Sequence, residues 1–303
     1  MGGIKLFKNQ ANQVRAGWII LLAFVAMYIA QGIFMVPGIV VLTVTEGMNS
    51  MDSLHIMDAF DKHPWISLLA QGGGTAGGIL ITLLLWRFIN KKTVKELGFR
   101  GPIKDLGFGL LLGAISIIVI FIVLLLTGHI KLINSFSNPE FTVYTISFLI
   151  MFILVGFFEE IFFRGYVVST MVSRGNRKWV VYVFSALLFS IVHGTNPNVS
   201  MLGLVNIALV GILFVYMFDI TKSLWLPIGY HMTWNYFQGN VFGFAVSGTT
   251  PHGIYNVTTE QGNDLLTGGS FGLEGGLMAS LLILLGFFAT HLYARKRKGV
   301  TNQ

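Results

Sequence analysis

Eight apolar runs dominate the chain, at residues 17–44, 64–89, 106–126, 141–170, 179–193, 201–218, 224–242 and 271–292. Most reach the roughly 18 residues that carry a helix across a hydrocarbon core of about 30 Å. In lipid, every backbone N–H and C=O must be bonded within the protein, which favours helices over sheets with open edges. A soluble reading fails on supply. A water-facing domain carries about 25% charged residues, whereas only 11% of these 303 are charged and 54% are hydrophobic. The expectation is therefore an all-α polytopic membrane protein with about eight transmembrane helices, forming one membrane domain over 1–303. Two runs are unusual: 179–193 is short, and 141–170 is interrupted by Glu159, Glu160 and Arg164. The absence of cysteine excludes disulfides, thiolate nucleophiles, thiolate zinc sites and cysteine lipidation.

Charge placement orients the bundle. If all eight runs cross, one side receives Lys5, Lys8, Arg15, Arg87, Lys91, Lys92, Lys95, Arg100, Lys104, Arg174, Arg177, Lys178, Lys222 and the run 295–298, which is 17 of the 20 basic residues. The other side holds only Lys62 and Lys131, and it collects Glu46, Asp52, Asp58, Asp61, Glu140, Glu260, Asp264 and Glu274. Basic residues mark the cytoplasmic face, so both termini are expected inside, in a cell membrane of bacterial plasma-membrane type. The net charge of +7 then reads as topology plus attraction to anionic lipid headgroups, and not as nucleic-acid binding.

Several segments organise the rest. Two N-terminal transmembrane helices occupy 17–89, and a glycine run at 72–78 suits close helix packing. The basic stretch 90–105 reads as an amphipathic segment on the inner surface. Residues 239–276, rich in Gly, Thr and Asn, read as an outer loop, and 271–292 as the last transmembrane helix.

Ionisable groups inside a span are costly and mark functional sites by default. Three places hold them: Glu159-Glu160-x-x-x-Arg164, Phe189-x-x-x-His193 and His231-x-x-x-Asn235. At about 100° per residue, Glu160 and Arg164 fall about 40° apart and can pair, whereas Glu159 points elsewhere. His231 and Asn235 share a face. Glu159 lies 16 residues before Gly175 and His193 lies 17 after Asn176, so both sit about 25 Å from the inner turn. A cluster of Glu159, His193, His231 and Asn235 follows. Its chemistry suits hydrolysis: a buried carboxylate takes a proton from water and returns it, a histidine holds the water or a metal, and a second histidine with an amide donates to an oxyanion.

The three motifs, in this order and each on a membrane segment, resemble the CPBP family of CAAX proteases and bacteriocin-processing enzymes, also called Abi or type II CAAX prenyl endopeptidase-like proteins. The resemblance extends over about 90–237, including Glu96-Leu97-Gly98-Phe99-Arg100. It implies an eight-helix core of CAAX prenyl protease type II-like architecture and an intramembrane endopeptidase acting on a membrane-associated, prenylated or bacteriocin-like peptide. Carried over by motif, Glu159 activates the water with His193, while His231 and Asn235 form the oxyanion site. Glu160, Arg164 and Phe189 support them. No cofactor is favoured; if zinc is present, Glu159, His193 and His231 are its candidate ligands. Two other classes compete. One is a non-catalytic immunity or scaffold protein that keeps the motifs. The other is a proton-coupled transporter, against which stands the lack of an inverted repeat.

Overall fold

The computed structural model describes residues 6–47, 53–249, 252–259 and 264–301. Lys5, Asp52 and Glu260 of the charge pattern lie outside the described residues, as does the side chain of Lys298. The architecture is helical throughout. Its elements are α1 (Ala16–Glu46), α2 (Ser53–Lys62), α3 (Pro64–Phe88), α4 (Lys104–Leu126), α5 (Val143–Ser173), α6 (Lys178–Val192), α7 (Met201–Thr221), α8 (Trp225–Tyr236) and α9 (Leu277–Thr301). Among the described residues, sheet is confined to one two-stranded antiparallel pair outside the spans. Strand β1 (Ile130–Leu132) meets β2 (Val257–Thr259) in the register Ile130↔Thr259, Lys131↔Thr258 and Leu132↔Val257.

Among the described residues seven helices are long and apolar enough to cross a membrane, and the chain is a multi-pass membrane protein. The expected seventh span, 224–242, is a continuous but short helical segment. Helix α8 has 12 residues, and a π-helical turn over Phe237–Val241 adds 5. The segment is also unlike the others in carrying His231, Asn235, Gln238 and Asn240. Neighbouring helices cover it: Ile228, Tyr230, His231, Trp234 and Asn235 are all buried, whereas α1 turns Ile29, Ile33 and Val40 outward to where lipid would lie. The last span is also displaced from its expected bounds. Residues 269–275 form two short 3-10 turns, and α9 starts at Leu277.

Glycine explains how α8 gets so deep. Gly109 and Gly113 of α4 face Gly229 and Tyr230 of α8, and a Cβ on Gly109 would fall 2.2 Å from the carbonyl oxygen of Leu226. Backbones this close suit interhelical bonding, and Thr233 Oγ1 donates to Leu110 O at 2.8 Å. The glycine run of α3 works similarly, with Gly77 under the Phe34 ring of α1 and Gly78 under Phe158 of α5.

One expectation fails at residues 90–105. Residues 90–105 do not form an amphipathic surface helix. A short 3-10 turn, Val94–Leu97, is closed by the Thr93–Glu96 capping box, and Leu97 is fully buried beneath Gly165 and beside Leu224. The backbone N–H and the hydroxyl of Thr93 both donate to Glu96 Oε2 and hold the exposed Glu96 carboxyl below its usual range. Leu97 is taken into the bundle, and the apolar residues left outside, Val94 and Ile103, are too far apart and outside any continuous helix to form one apolar stripe.

Three stretches depart from α geometry toward π-helix: Leu68–Gly72 in α3, Glu160–Val168 in α5, and Phe237–Val241. Such i→i+5 turns are rare and recur at functional sites. All nine residues of the middle stretch are buried, packed with Met27, Val181 and Phe189 in one core. A second core joins α4, α7, α8 and α9 through Ile117, Phe121, Phe214, Tyr230 and Ile283. The candidate site lies between these two cores.

Candidate active site

A cavity of about 850 Å³ penetrates the bundle, and Glu159, His193, His231 and Asn235 all line it. This size matches that of ligand sites, which run to roughly 300–1,000 Å³. The four residues come from three helical segments. Glu159 sits where α5 passes into its π stretch, His193 begins the turn that ends α6, and His231 and Asn235 face one way from α8.

Glu160 and Arg164 lie behind the wall. Both side chains are fully buried, and Arg164 Nη1 donates to Glu160 Oε1 at 2.9 Å. The i, i+4 spacing that suggested this pair survives the change to π geometry. The guanidinium is sandwiched by aromatic faces, 4.2 Å from the Phe189 centroid and 4.9 Å from that of Phe214. Cation–π attraction of this kind reaches about 2 kcal/mol when the partners are desolvated. Phe189 therefore supports the cation directly and also meets His193 edge-on at 4.7 Å.

The histidines differ in what holds them. His193 Nδ1 lies 2.7 Å from Phe189 O. A carbonyl only accepts, so the proton sits on Nδ1 and leaves Nε2 as the lone-pair nitrogen. His231, expected in the cluster with Glu159, His193 and Asn235, stands between the two glutamates. Its Nδ1 is 3.0 Å from Glu160 Oε1, and its Nε2 is 3.7 Å from Glu159 Oε2. Glu160 Oε1 thus receives both Arg164 and His231. Neither Glu159 nor Glu160 has a partner at its buried Oε2. Asn235, only 9% exposed and on the cavity wall, makes no hydrogen bond among the described residues.

Sequence reasoning passed over a buried polar cluster that reaches the cavity lining through Asn206 and Glu274. Gln238 Nε2 donates to Glu274 Oε2, and Asn206 Nδ2 donates to the carbonyls of Glu274 and Gly276 at 2.8 and 2.9 Å. Burial pushes the Glu274 carboxyl up to about 7. Gln238 lies one helical turn beyond Trp234 on a polar-rich segment, and that was the available signal. Glu274 itself read as a surface acid.

Among the described residues no group of three His, Cys, Asp or Glu side chains is arranged to hold a metal ion. Of the candidate trio of Glu159, His193 and His231, His231 gives its Nδ1 to Glu160 and keeps Nε2 on the side of Glu159.

The helices α5 to α8 that build this wall coincide with a match to a known family. The family described as Rce1-like, type II CAAX prenyl endopeptidase, matches residues 140–237. That is about a third of the chain, and it contains all three motifs. The match is consistent with the CPBP family. It begins at 140, so 90–139 of the expected core falls outside it. At the level of the family it supports a CAAX-type intramembrane protease. The chain matches no curated protein and no solved structure.

Proposed function

We propose that this protein is an intramembrane endopeptidase of the CPBP/Abi type, hydrolysing a peptide bond with a water activated by Glu159. The observation that carries the reading is the convergence of Glu159, His193, His231 and Asn235 on one cavity wall. In this reading the water lies between Glu159 and the lone pair of His193 Nε2. Glu159 removes a proton as the water oxygen bonds to the substrate carbonyl carbon. Asn235 donates to the resulting oxyanion, and so does His231 through a proton on Nε2, its Nδ1–H being engaged by Glu160. The C–N bond then breaks, and Glu159 passes its proton to the leaving amine. Glu160, Arg164 and Phe189 position His231 and take no proton.

Neither a metal nor a cofactor is required by this scheme. The substrate is a peptide or lipidated protein segment at the bilayer, prenylated or bacteriocin-like. The protein is oriented with both termini cytoplasmic in a bacterial plasma membrane, its basic inner face against anionic headgroups. Purified protein in detergent should cleave fluorogenic peptides, and Glu159→Gln should abolish cleavage while keeping the folded state. Cleavage that persists at the wild-type rate in Glu159→Gln would reject the mechanism. A binding function that survives the same change would favour a scaffold.

A further inference from the structure

The cavity is not symmetric across the bundle. Its lining includes Asp58 and Asp61 from α2, residues 196–198 from the α6–α7 connection, and residues 246–249 from the segment after α8. All three connections lie on the side that receives few basic residues. The opposite connections, 89–103, 174–177 and 222–224, contribute no lining residue among those described. That end is closed by Leu97, Gly98 and Leu224 in contact and by ion pairs from Asp105 to Arg297 and from Asp219 to Lys178 and Lys222.

The mouth of the cavity is one-sided in charge. The lining carries four acidic side chains, Asp58 and Asp61 at the mouth and Glu159 and Glu274 deeper in, with no lysine or arginine, and its deep histidines His193 and His231 belong to the candidate site. Asp58 and Asp61 are exposed at the mouth, where Asp61 has His252 at 3.2 Å. Lys62 and Lys131, the basic residues of that side, do not line it. Deeper in, Asn235 offers an amide that no described residue engages, suited to a peptide carbonyl. Acidic walls of low dielectric concentrate cations and speed their capture.

We infer that the substrate is a cationic peptide segment that enters from the outer face of the membrane, not the cytoplasmic tail of an inner-face protein. The inference rests on the protease reading and on the inside-basic orientation.

The chain contains no cysteine, so single serine-to-cysteine changes report topology without background. Ser67→Cys lies in the cavity lining and Ser173→Cys at the exposed inner end of α5. In intact bacterial cells a membrane-impermeant maleimide should label Ser67→Cys and spare Ser173→Cys, and inverted vesicles should show the reverse. Right-side-out vesicles should cleave an added peptide of net charge +3, and inverted vesicles should do so only after detergent is added. In detergent at low salt, kcat/KM for that peptide should exceed that of a matched −3 peptide by about tenfold. The gap should shrink at 0.5 M salt as screening shortens the field. The Asp58→Asn/Asp61→Asn double variant should raise KM for the cationic peptide. Labelling of Ser67→Cys from the cytoplasmic side alone, cleavage by sealed inverted vesicles, or equal use of the two peptides at low salt would overturn the inference. Absence of all cleavage in detergent would instead strike the protease reading, while the labelling pattern would still decide which way the mouth faces.

Discussion

Glu159 and Glu160 are chain neighbours that belong to different regions of the molecule. Glu160 sits in a closed knot behind the cavity, bonded to Arg164 and His231 under a roof of phenylalanine rings. Glu159 stands on the cavity wall with its nearest basic partner, His231 Nε2, at 3.7 Å. The knot has given its acceptor away, whereas the wall keeps one in reserve. A buried charge paired away from the cavity serves structure, and one left within reach of a cavity can serve chemistry. Adjacent acids in a membrane helix need not share a role.

The largest effects should separate these regions. Glu159→Gln should reduce kcat by about 10²–10⁴-fold or more, with the thermal midpoint in detergent close to wild type. Arg164→Ala should leave Glu160 as an uncompensated buried charge and cost on the order of 3–5 kcal/mol, read as loss of the folded, monodisperse species. The contrast collapses if Glu159→Gln unfolds while Glu160→Gln stays folded and merely inactive.

Next in size come the two donors on α8. Asn235→Ala should lower kcat by about 10²–10³ with little change in stability. His231→Ala should match that loss and also destabilise, because it strips a bond from Glu160. If Asn235→Ala retains nearly full kcat, the wall has no oxyanion role for it.

A smaller effect tests the buried polar cluster. The Glu274 carboxyl, raised to about 7 by burial from an ordinary value of about 4.5, binds its proton more tightly folded than unfolded. Its stabilising contribution is therefore full below about pH 4.5 and is lost as pH rises toward and through 7. Over that window the folded state should lose about 3 kcal/mol, and Glu274→Gln should flatten the slope. An unchanged pH dependence of thermal unfolding in the variant would assign the slope to another group.

The smallest expected effect is that of chelation. 1,10-Phenanthroline should leave most activity, and purified active protein should hold far less than one metal per chain. Stoichiometric zinc, with activity lost on chelation and restored by zinc, would replace the scheme with a metal-based one.

Much of this was legible in the residues, for identifiable reasons. Apolar runs of about 18 residues or more mark spans in seven of the eight cases, and Glu160 with Arg164 is a local relation that helical spacing reveals. The site's convergence followed from counting residues outward from the turn near Gly175. What escaped was non-local. His231 reaches Glu160 across 71 positions, and Gln238 meets Glu274 across 36. Neither pairing leaves a mark on local periodicity. The segment at 90–105 misled because Leu97 counts as surface until Gly165 is known to make room for it. The seventh run was long enough to read as a span despite its polar residues, and only its neighbours show it to be enclosed.

The π-helical stretch of α5 has a consequence for how that helix is phased. Bonds from i to i+5 place more residues in each turn than an α-helix does, so Glu160–Val168 is underwound. The helix behaves as two segments with a slipped gear between them. The outer segment, Val143–Glu159, sends Ser147, Met151, Val155 and Glu159 to the cavity at intervals of four. The next residue starts a segment indexed differently, which delivers Glu160 and Arg164 to the interior. Removing one residue within the slip would let α geometry reseat and would rotate the two halves relative to each other. The stagger between them is thus an inserted offset, carried by the backbone and not by any one side chain.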